Sequence, residues 1–505
     1  MTGEWVESHE YDLIMSEIRS PSLARYRDIV PDWPGFQAAI AAPEPVGIRV
    51  RLGLTTPEGL LRHLGAQGFA LEPVPGLTSQ YRLVSGPRSI AQTIEHWLGL
   101  FHIQQTVMTL PVLALAPTPG ERVLDLCAAP GGKTTHLAQL MDDRGSLVAV
   151  DPKEKRLRGL LANVFRLGHT NVLVVAMDGR AVPGTALFDR VLVDAPCSAE
   201  GTIRRKGRNE TPRTPNFVSY VTSLQEALLR RAIDLTRPGG TIVYSTCTFA
   251  PEENEGVVSR AMEGMPVQVE PISLRLPHSP GLDRWRDQTY HPDLRHAWRV
   301  YPHQLDSGGL FMVKLRRSGL GSEGQLTDGW SRVPEIFGDD PASYDHAFRY
   351  SARTELEHWF SNPDELAGVQ WMVRGDSVWA HTLGSWPVPS WPRSGRGGGW
   401  RVVSLGIRAL RKGAGGAPTP SNRFLTRWGR HLAPNRRIQL HRIQLRTLLD
   451  GRPVAVPGRS PGPYALEWEH MVLGRGILGG RGLVHEIPKA LAAQLADVVA
   501  AVGSP

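Results

Sequence analysis

Three cysteines occur in this chain of 505 residues, and two of them directly follow a short run that ends like a strand. Cys197 closes the segment Val193-Asp194-Ala195-Pro196-Cys197-Ser198, and Cys247 closes Tyr244-Ser245-Thr246-Cys247-Thr248. With Cys127 the spacings are 70 and 50 residues, which fit no zinc pattern because such sites need close pairs. An odd, sparse set also argues against a disulfide framework. A lone cysteine is most often an inert buried hydrophobe. Two thiols placed just beyond strands, on the sheet edge where ligands bind, read instead as reactive groups facing one cleft. A thiolate there can add to an electron-poor carbon and leave again, splitting one hard step into easier ones.

The third cysteine belongs to a glycine-rich turn. Val123-Leu124-Asp125-Leu126-Cys127-Ala128-Ala129-Pro130-Gly131-Gly132-Lys133-Thr134 reads as a buried strand running into a turn and a helix. Such a turn lets backbone approach a ligand at a helix N-terminus. It is no P-loop, because Cys127 stands where the first glycine is needed. It is no dinucleotide fingerprint either, since only Gly131-Gly132 occurs. Acids follow the next strands: Asp151, placed to accept ribose hydroxyls, Asp178, placed at an adenine edge, and Asp194. Any one of them reads equally well as a helix cap. As a set they point to S-adenosylmethionine.

The elements that must position these groups follow from hydrophobic patterning. Strands are predicted at Arg122–Leu126, Leu147–Val150, Val172–Val175, Arg190–Val193 and Thr241–Ser245, with a late strand at Leu310–Leu315. Helices are predicted between them, at Thr134–Met141 and Gln225–Leu235. This alternation implies a parallel sheet, with ligands at the C-terminal strand ends. The first hundred residues show helical periodicity, one short strand at Ile48–Leu52 and no catalytic signal. The expected partition is an N-terminal region over 1–100, a catalytic domain over 101–318, a connecting region or the start of the C-terminal domain over 319–400 and a basic domain over 401–505.

Charge separates the ends of the chain. The net charge is +8, yet residues 401–490 carry 16 Lys/Arg against four acids, leaving −4 for the remainder. A basic segment on a near-neutral body suggests a polyanion partner, although a solvated surface reads the same way. Hydrophobic residues at 41% and charged residues at 21% exclude a disordered chain. The polar, acidic start and the lack of a long apolar run predict a cytoplasmic protein, neither secreted nor bound to a membrane. A monomer without a metal is expected.

A chemistry that uses all these parts is methyl transfer to carbon 5 of cytosine. That carbon is a poor nucleophile until a thiolate adds at carbon 6. The segments D-L-C-A-A-P-G-G-K-T-T, D-A-P-C-S, S-T-C-T and P-E-E-N-E resemble those of the Nol/Nop/Sun family of RNA cytosine-5 methyltransferases. Ile103-Gln104-Gln105, Arg299-Val300-Tyr301-Pro302-His303 and Gly308-Gly309 extend the likeness across roughly Ile48 to Arg317. The resemblance implies a Rossmann-like class I methyltransferase domain, flanked by a mainly helical N-terminal RNA-binding region and a C-terminal β-rich, PUA-like domain. It implies Cys247 as nucleophile and Cys197 as the group that promotes release. It further implies that Cys127, Ala128, Ala129, Pro130, Gly131, Gly132, Lys133, Asp151, Asp178 and Asp194 contact S-adenosylmethionine, with Asp194 and Lys133 also reaching the base.

Two positions depart from the family pattern: Ala199, often glycine, and Arg51, often asparagine. The run Arg204-Arg205-Lys206 reads as a phosphate clamp, with a solvated loop as the alternative. The expected substrate is structured RNA, small-subunit rRNA ahead of tRNA. A non-catalytic RNA-binding assembly factor is the competing class, disfavoured by the retention of both thiols, Lys133 and Asp194. A small-molecule or protein methyltransferase needs neither two cysteines nor a basic module.

Overall fold

The computed structural model describes residues 21–206, 214–319, 346–360, 366, 368–385, 401–413 and 416–489, with isolated positions between 492 and 499. Lys206 lies at the edge of the described residues, and its side chain lies outside them. The chain divides into two units, each assembled from separated stretches. One comprises the described parts of 1–46, 105–115 and 191–322, and the other those of 47–104, 116–190 and 323–505. The expected linear partition at 100, 318 and 400 does not match this interleaving.

In the first unit the strands run in the order Ser279–Pro280, Trp298–Val300, Leu310–Arg317, Thr236–Thr246 and Phe188–Asp194. Leu310–Arg317 lies antiparallel to Thr236–Thr246, with Phe311 opposite Thr246. The helix Pro215–Leu235 precedes the central strand. It starts because the Thr214 side chain accepts from Phe217 N–H and proline occupies the first turn, where its missing N–H is no loss. Val221, Leu228, Leu229, Ala232 and Ile233 are buried, which is one face at helical spacing. The helix was predicted only from Gln225; its polar first turns hide the remainder.

In the second unit Arg122–Asp125, Ser146–Val150 and Val172–Val175 form a parallel set. Every residue of the latter two strands is buried, as both-face coverage by helices demands. The helices Gly132–Leu140 and Glu154–Leu167 connect them. The second ends at Gly168 with φ +73°, a left-handed cap that glycine adopts without strain. The N-terminal portion, expected to be mainly helical, contains a four-stranded antiparallel sheet in the order Ala70–Pro73, Gln80–Ser85, Gly47–Val50, Phe101–Ile103. Its strands are three to six residues long. Segments that short show little period-2 alternation, so the longer helix Pro57–Ala66 dominates the pattern.

The basic segment is built into this unit. Val402–Leu405 pairs antiparallel with Val172–Val175, adding a strand to the edge of the parallel set. Farther on, Arg437–Gln439, Gly462–Trp468, Met471–Gly479 and Gly482–His485 form a sheet. Its core, with Leu466, Leu473 and Leu483, includes Ile94 and Trp97 from the N-terminal portion. Trp97 Nε1–H donates to Leu473 O at 2.8 Å, and Arg423 stacks on the Trp97 ring at 3.8 Å.

Candidate active site

The two thiols expected to meet do so within the first unit: Cys197 Sγ lies 3.4 Å from Cys247 Sγ. Both residues are partly accessible, and neither is in a disulfide. The hydrogen bond with Cys247, reinforced by burial, pushes the Cys197 thiol well above its ordinary pKa. Cys197 therefore holds its proton, and its S–H can donate a hydrogen bond to a thiolate at Cys247.

The two loops grip each other through backbone and side chain. Ala195 N–H donates to Ser245 O, and Gly201 N–H donates to Cys247 O at 2.8 Å. Ser198 Oγ and Thr248 Oγ1 are 2.7 Å apart. Glu253, fully buried, accepts from Ser198 N–H at 2.9 Å and from Gln225 Nε2 at 3.1 Å. Gln225 Nε2 also donates to Pro196 O, so the long helix reaches the Cys197 loop. Asp194 accepts from Ser245 Oγ at 2.9 Å.

Two glycines permit this closeness. Gly309 N–H donates to Gly201 O, and a Cβ on Gly201 would stand only 2.6 Å from Gly309 O. Ala199 has φ +61°, a left-handed conformation that costs a residue with a Cβ roughly 1–2 kcal/mol. That is the physical reason glycine suits position 199.

Behind Cys247 lies a cage the sequence reading missed. Phe249 contacts Tyr26 at 6.0 Å, Phe36 at 5.3 Å and Tyr301 at 5.9 Å between ring centroids. Arg299 donates to Phe249 O at 2.9 Å and pairs with buried Glu255 at 2.5 Å. Tyr26 and Phe36 belong to a stretch without motif, and only their aromatic type hinted at a core role.

The cofactor loop lies in the second unit. Ala128 N–H donates to Val150 O, and Gly131 N–H to Ala128 O. Asn163 Nδ2 donates to Pro130 O and Arg156 Nη2 to Ala129 O, pinning the turn from the next helix. Gly131 has φ +98° and caps the helix that starts at Gly132. Cys127 and Gly132 are partly accessible, whereas Lys133 is buried.

Asp151 is fully buried. Its Oδ1 accepts from Lys153 N–H at 3.0 Å. Its Oδ2 lies 3.1 Å from Arg156 Nη1 yet has no partner of hydrogen-bonding geometry among the described residues. Asp178 differs: it caps Arg180 N–H at 2.9 Å and pairs with the Arg180 side chain at 2.6 Å. That hydrogen bonding to Arg180 lowers its pKa.

The expectation of a phosphate-facing Arg204 changes. Arg204 donates to Ala42 O, Pro43 O and Ser307 O and pairs with Asp306 at 2.9 Å. With its side chain 1% exposed it is a strut, whereas Arg205 is exposed. Arg51 is also buried. It donates to Leu167 O and pairs with Asp143 at 2.5 Å, beside His169 Nδ1 at 2.7 Å and Arg427 at 3.6 Å. Burial pushes the Asp143 carboxyl up, but Arg51 and His169 outweigh it and hold it below the usual carboxylate range.

Comparison with known proteins decides the family. The family described as 16S rRNA methyltransferase RsmB/F matches residues 112–316. A tRNA (cytosine(49)-C(5))-methyltransferase of Pyrococcus abyssi is 34% identical over 275 residues, covering 54% of this chain and 88% of that protein. The chain belongs to the RsmB/F family. A methyltransferase homolog from Pyrococcus horikoshii, solved as a crystal structure, has a TM-score of 0.50 at 32% identity. The match covers 59% of this chain and 99% of that one.

The fold of this RsmB/F-family chain is thus that of a class I S-adenosylmethionine-dependent methyltransferase, as expected. The human 28S rRNA (cytosine(4447)-C(5))-methyltransferase is 38% identical over 289 residues, covering 56% of this chain and 35% of that protein. The chain spans about a third to a half of the length of this and similar eukaryotic relatives. Among the described residues no helix is long and apolar enough to cross a membrane.

Proposed function

We propose that this protein methylates carbon 5 of a cytosine in structured RNA, with Cys247 as nucleophile and S-adenosylmethionine as methyl donor. The observation that carries this reading is the thiol pair at 3.4 Å, with a proton kept on Cys197. Cys247 as thiolate adds to carbon 6 of the base, which makes carbon 5 nucleophilic. When bound, S-adenosylmethionine supplies the electrophilic methyl group that carbon 5 takes up. A base then removes the carbon 5 proton, and the bond between Cys247 Sγ and carbon 6 breaks. Cys197 assists the departure by donating a hydrogen bond to the leaving thiolate, and Asp194, oriented by Ser245, contacts the base; Lys133 is a further candidate for contact with it.

Asp151 fits the donor's ribose. Its buried Oδ2, paired with Arg156 but accepting no hydrogen bond among the described residues, can accept one from a ribose hydroxyl, which offsets the cost of its burial. The segment from Cys127 to Lys133 holds the remainder of the donor through backbone. Asp178 serves the adenine edge by releasing part of its hold on Arg180.

Small-subunit rRNA is the favoured substrate, because the matching family is described by 16S rRNA methylation. A tRNA substrate is the second reading, favoured by the Pyrococcus abyssi relative. The C-terminal sheets serve as a PUA-like RNA-binding module, and the protein works in the cytoplasm as a monomer. Unmodified rRNA and tRNA transcripts incubated with enzyme and methyl-labelled donor, then sequenced after bisulfite, test the proposal. Protected cytosines in the small-subunit rRNA are expected, and label without any protected cytosine would overturn it.

A further inference from the structure

We propose that Glu200 is a positioning residue that clamps the Cys247 loop against the Cys197 loop and so sets the separation of the two thiols. This inference rests on the reading of Cys247 as nucleophile, and it concerns a residue outside the expected site.

The carboxylate stands where two chain segments and the N-terminal helices converge. Its Oε2 accepts from Thr248 Oγ1 at 2.8 Å and from Phe249 N–H at 3.2 Å, the two residues after Cys247. Both oxygens face Tyr26 Oη, at 2.9 and 2.8 Å, and Tyr26 is fully buried. The residue after Glu200 completes the grip, since Gly201 N–H donates to Cys247 O. Cys247 is therefore held on both sides of its own peptide by consecutive residues of the loop that carries Cys197. Only Ser198 and Ala199 separate Cys197 from Glu200, so any slack in the carboxylate's contacts transmits directly to the thiol separation.

The Tyr26, Thr248 and Phe249 groups that meet the Glu200 side chain can also be served by a neutral amide. A glutamine can present its carbonyl oxygen to Thr248 and Phe249 and turn its NH₂ toward the Tyr26 hydroxyl, which can accept. A positioning role therefore survives Glu200→Gln and fails in Glu200→Ala. A role in taking the carbon 5 proton would fail in both. Misplacing a reacting group by 1 Å costs about 100-fold in rate.

The test measures geometry separately from turnover. Full-length protein is treated with a bis-reactive bimane that fluoresces only when it bridges two thiols, with Cys197→Ala as background. Wild type and Glu200→Gln should bridge rapidly, and Glu200→Ala slowly. In methyl transfer to pooled rRNA and tRNA transcripts, Glu200→Ala should lose about 100-fold in kcat, while KM and donor affinity stay near wild type. Thr248→Val, which removes one donor without changing side-chain shape, should slow bridging less, and it carries the test if Glu200→Ala does not fold. Wild-type bridging in the folded Glu200→Ala or Thr248→Val protein would overturn the proposal. So would a Glu200→Gln protein as impaired as Glu200→Ala. If methyl transfer survives Cys247→Ala, the functional reading fails, but the bridging rates still report on the clamp.

Discussion

The thiol loops and the arginine-rich segment beyond residue 400 carry their polar side chains in opposite ways. Around Cys197 and Cys247, carboxylates, hydroxyls and backbone amides satisfy one another and leave two sulfur atoms partly accessible. Beyond residue 400 most of the basic residues are exposed, Arg408, Arg446 and Arg481 among them, and a minority are turned inward. Arg423 donates to Trp97 O, Arg427 to Gly168 O and Arg475 to Pro420 O, while Arg437 pairs with Glu467. A cluster of like charge in sequence is thus a weaker guide than residue types at strand ends. A strand end dictates where a side chain goes, whereas a long arginine can reach a carbonyl in any direction.

The comparison breaks most sharply on truncation. If the basic segment were a separable RNA-binding tail, a chain ending at Trp400 would stay folded and lose only RNA affinity. With Val402–Leu405 on the sheet edge and Trp97 packed against Leu473, truncation should instead expose a large core. We expect loss of a cooperative thermal transition and of S-adenosylmethionine binding, measured by calorimetry. A truncated protein with an unchanged transition would restore the separable-tail picture.

Arg51 sharpens it further. Removing one member of a buried ion pair leaves the other charge uncompensated, which costs about 3–5 kcal/mol. Arg51→Ala should lose that much in urea unfolding, since Asp143 keeps only His169 and Arg427. A loss below 1 kcal/mol, the scale of an exposed pair, would mean that the Arg51–Asp143 pair contributes no more than a surface pair.

Asp151 tests the second unit's ligand role. Losing a carboxylate hydrogen-bonded to ribose costs on the order of 1.5–3 kcal/mol. Asp151→Ala should therefore weaken S-adenosylmethionine binding by about 10- to 100-fold. An unchanged dissociation constant would make Asp151 a turn-forming residue through its bond to Lys153 alone.

Smallest is Ala199→Gly, which relieves a left-handed alanine at φ +61°. It should raise stability by about 1 kcal/mol, seen as a higher urea midpoint with unchanged slope. A destabilised variant would mean that the Ala199 methyl packs usefully in the Cys197 loop.

What was legible follows the same division. Val172–Val175 was predicted to the residue, because a run of four buried apolar residues allows few other readings. Cys197 and Cys247 were paired from their places after two strands. Glu200, Glu253 and Tyr26 were not found as partners of that pair. Their roles depend on contacts across 48, 55 and 174 residues, and no local pattern marks such contacts. Arg204 was read as a phosphate contact because a basic side chain looks the same in sequence whether it meets phosphate or a buried carbonyl.

The central claim is that Cys247 forms the bond to the base while Cys197 serves release. It is tested most directly by trapping the covalent species. Cys197→Ala and the double variant Cys197→Ala/Cys247→Ala are incubated with S-adenosylmethionine and RNA transcripts, then run on a denaturing gel. A slow-migrating protein–RNA species should appear with the single variant and vanish with the double. An adduct that persists without Cys247, or normal turnover by Cys197→Ala with no adduct, would contradict this division of labour.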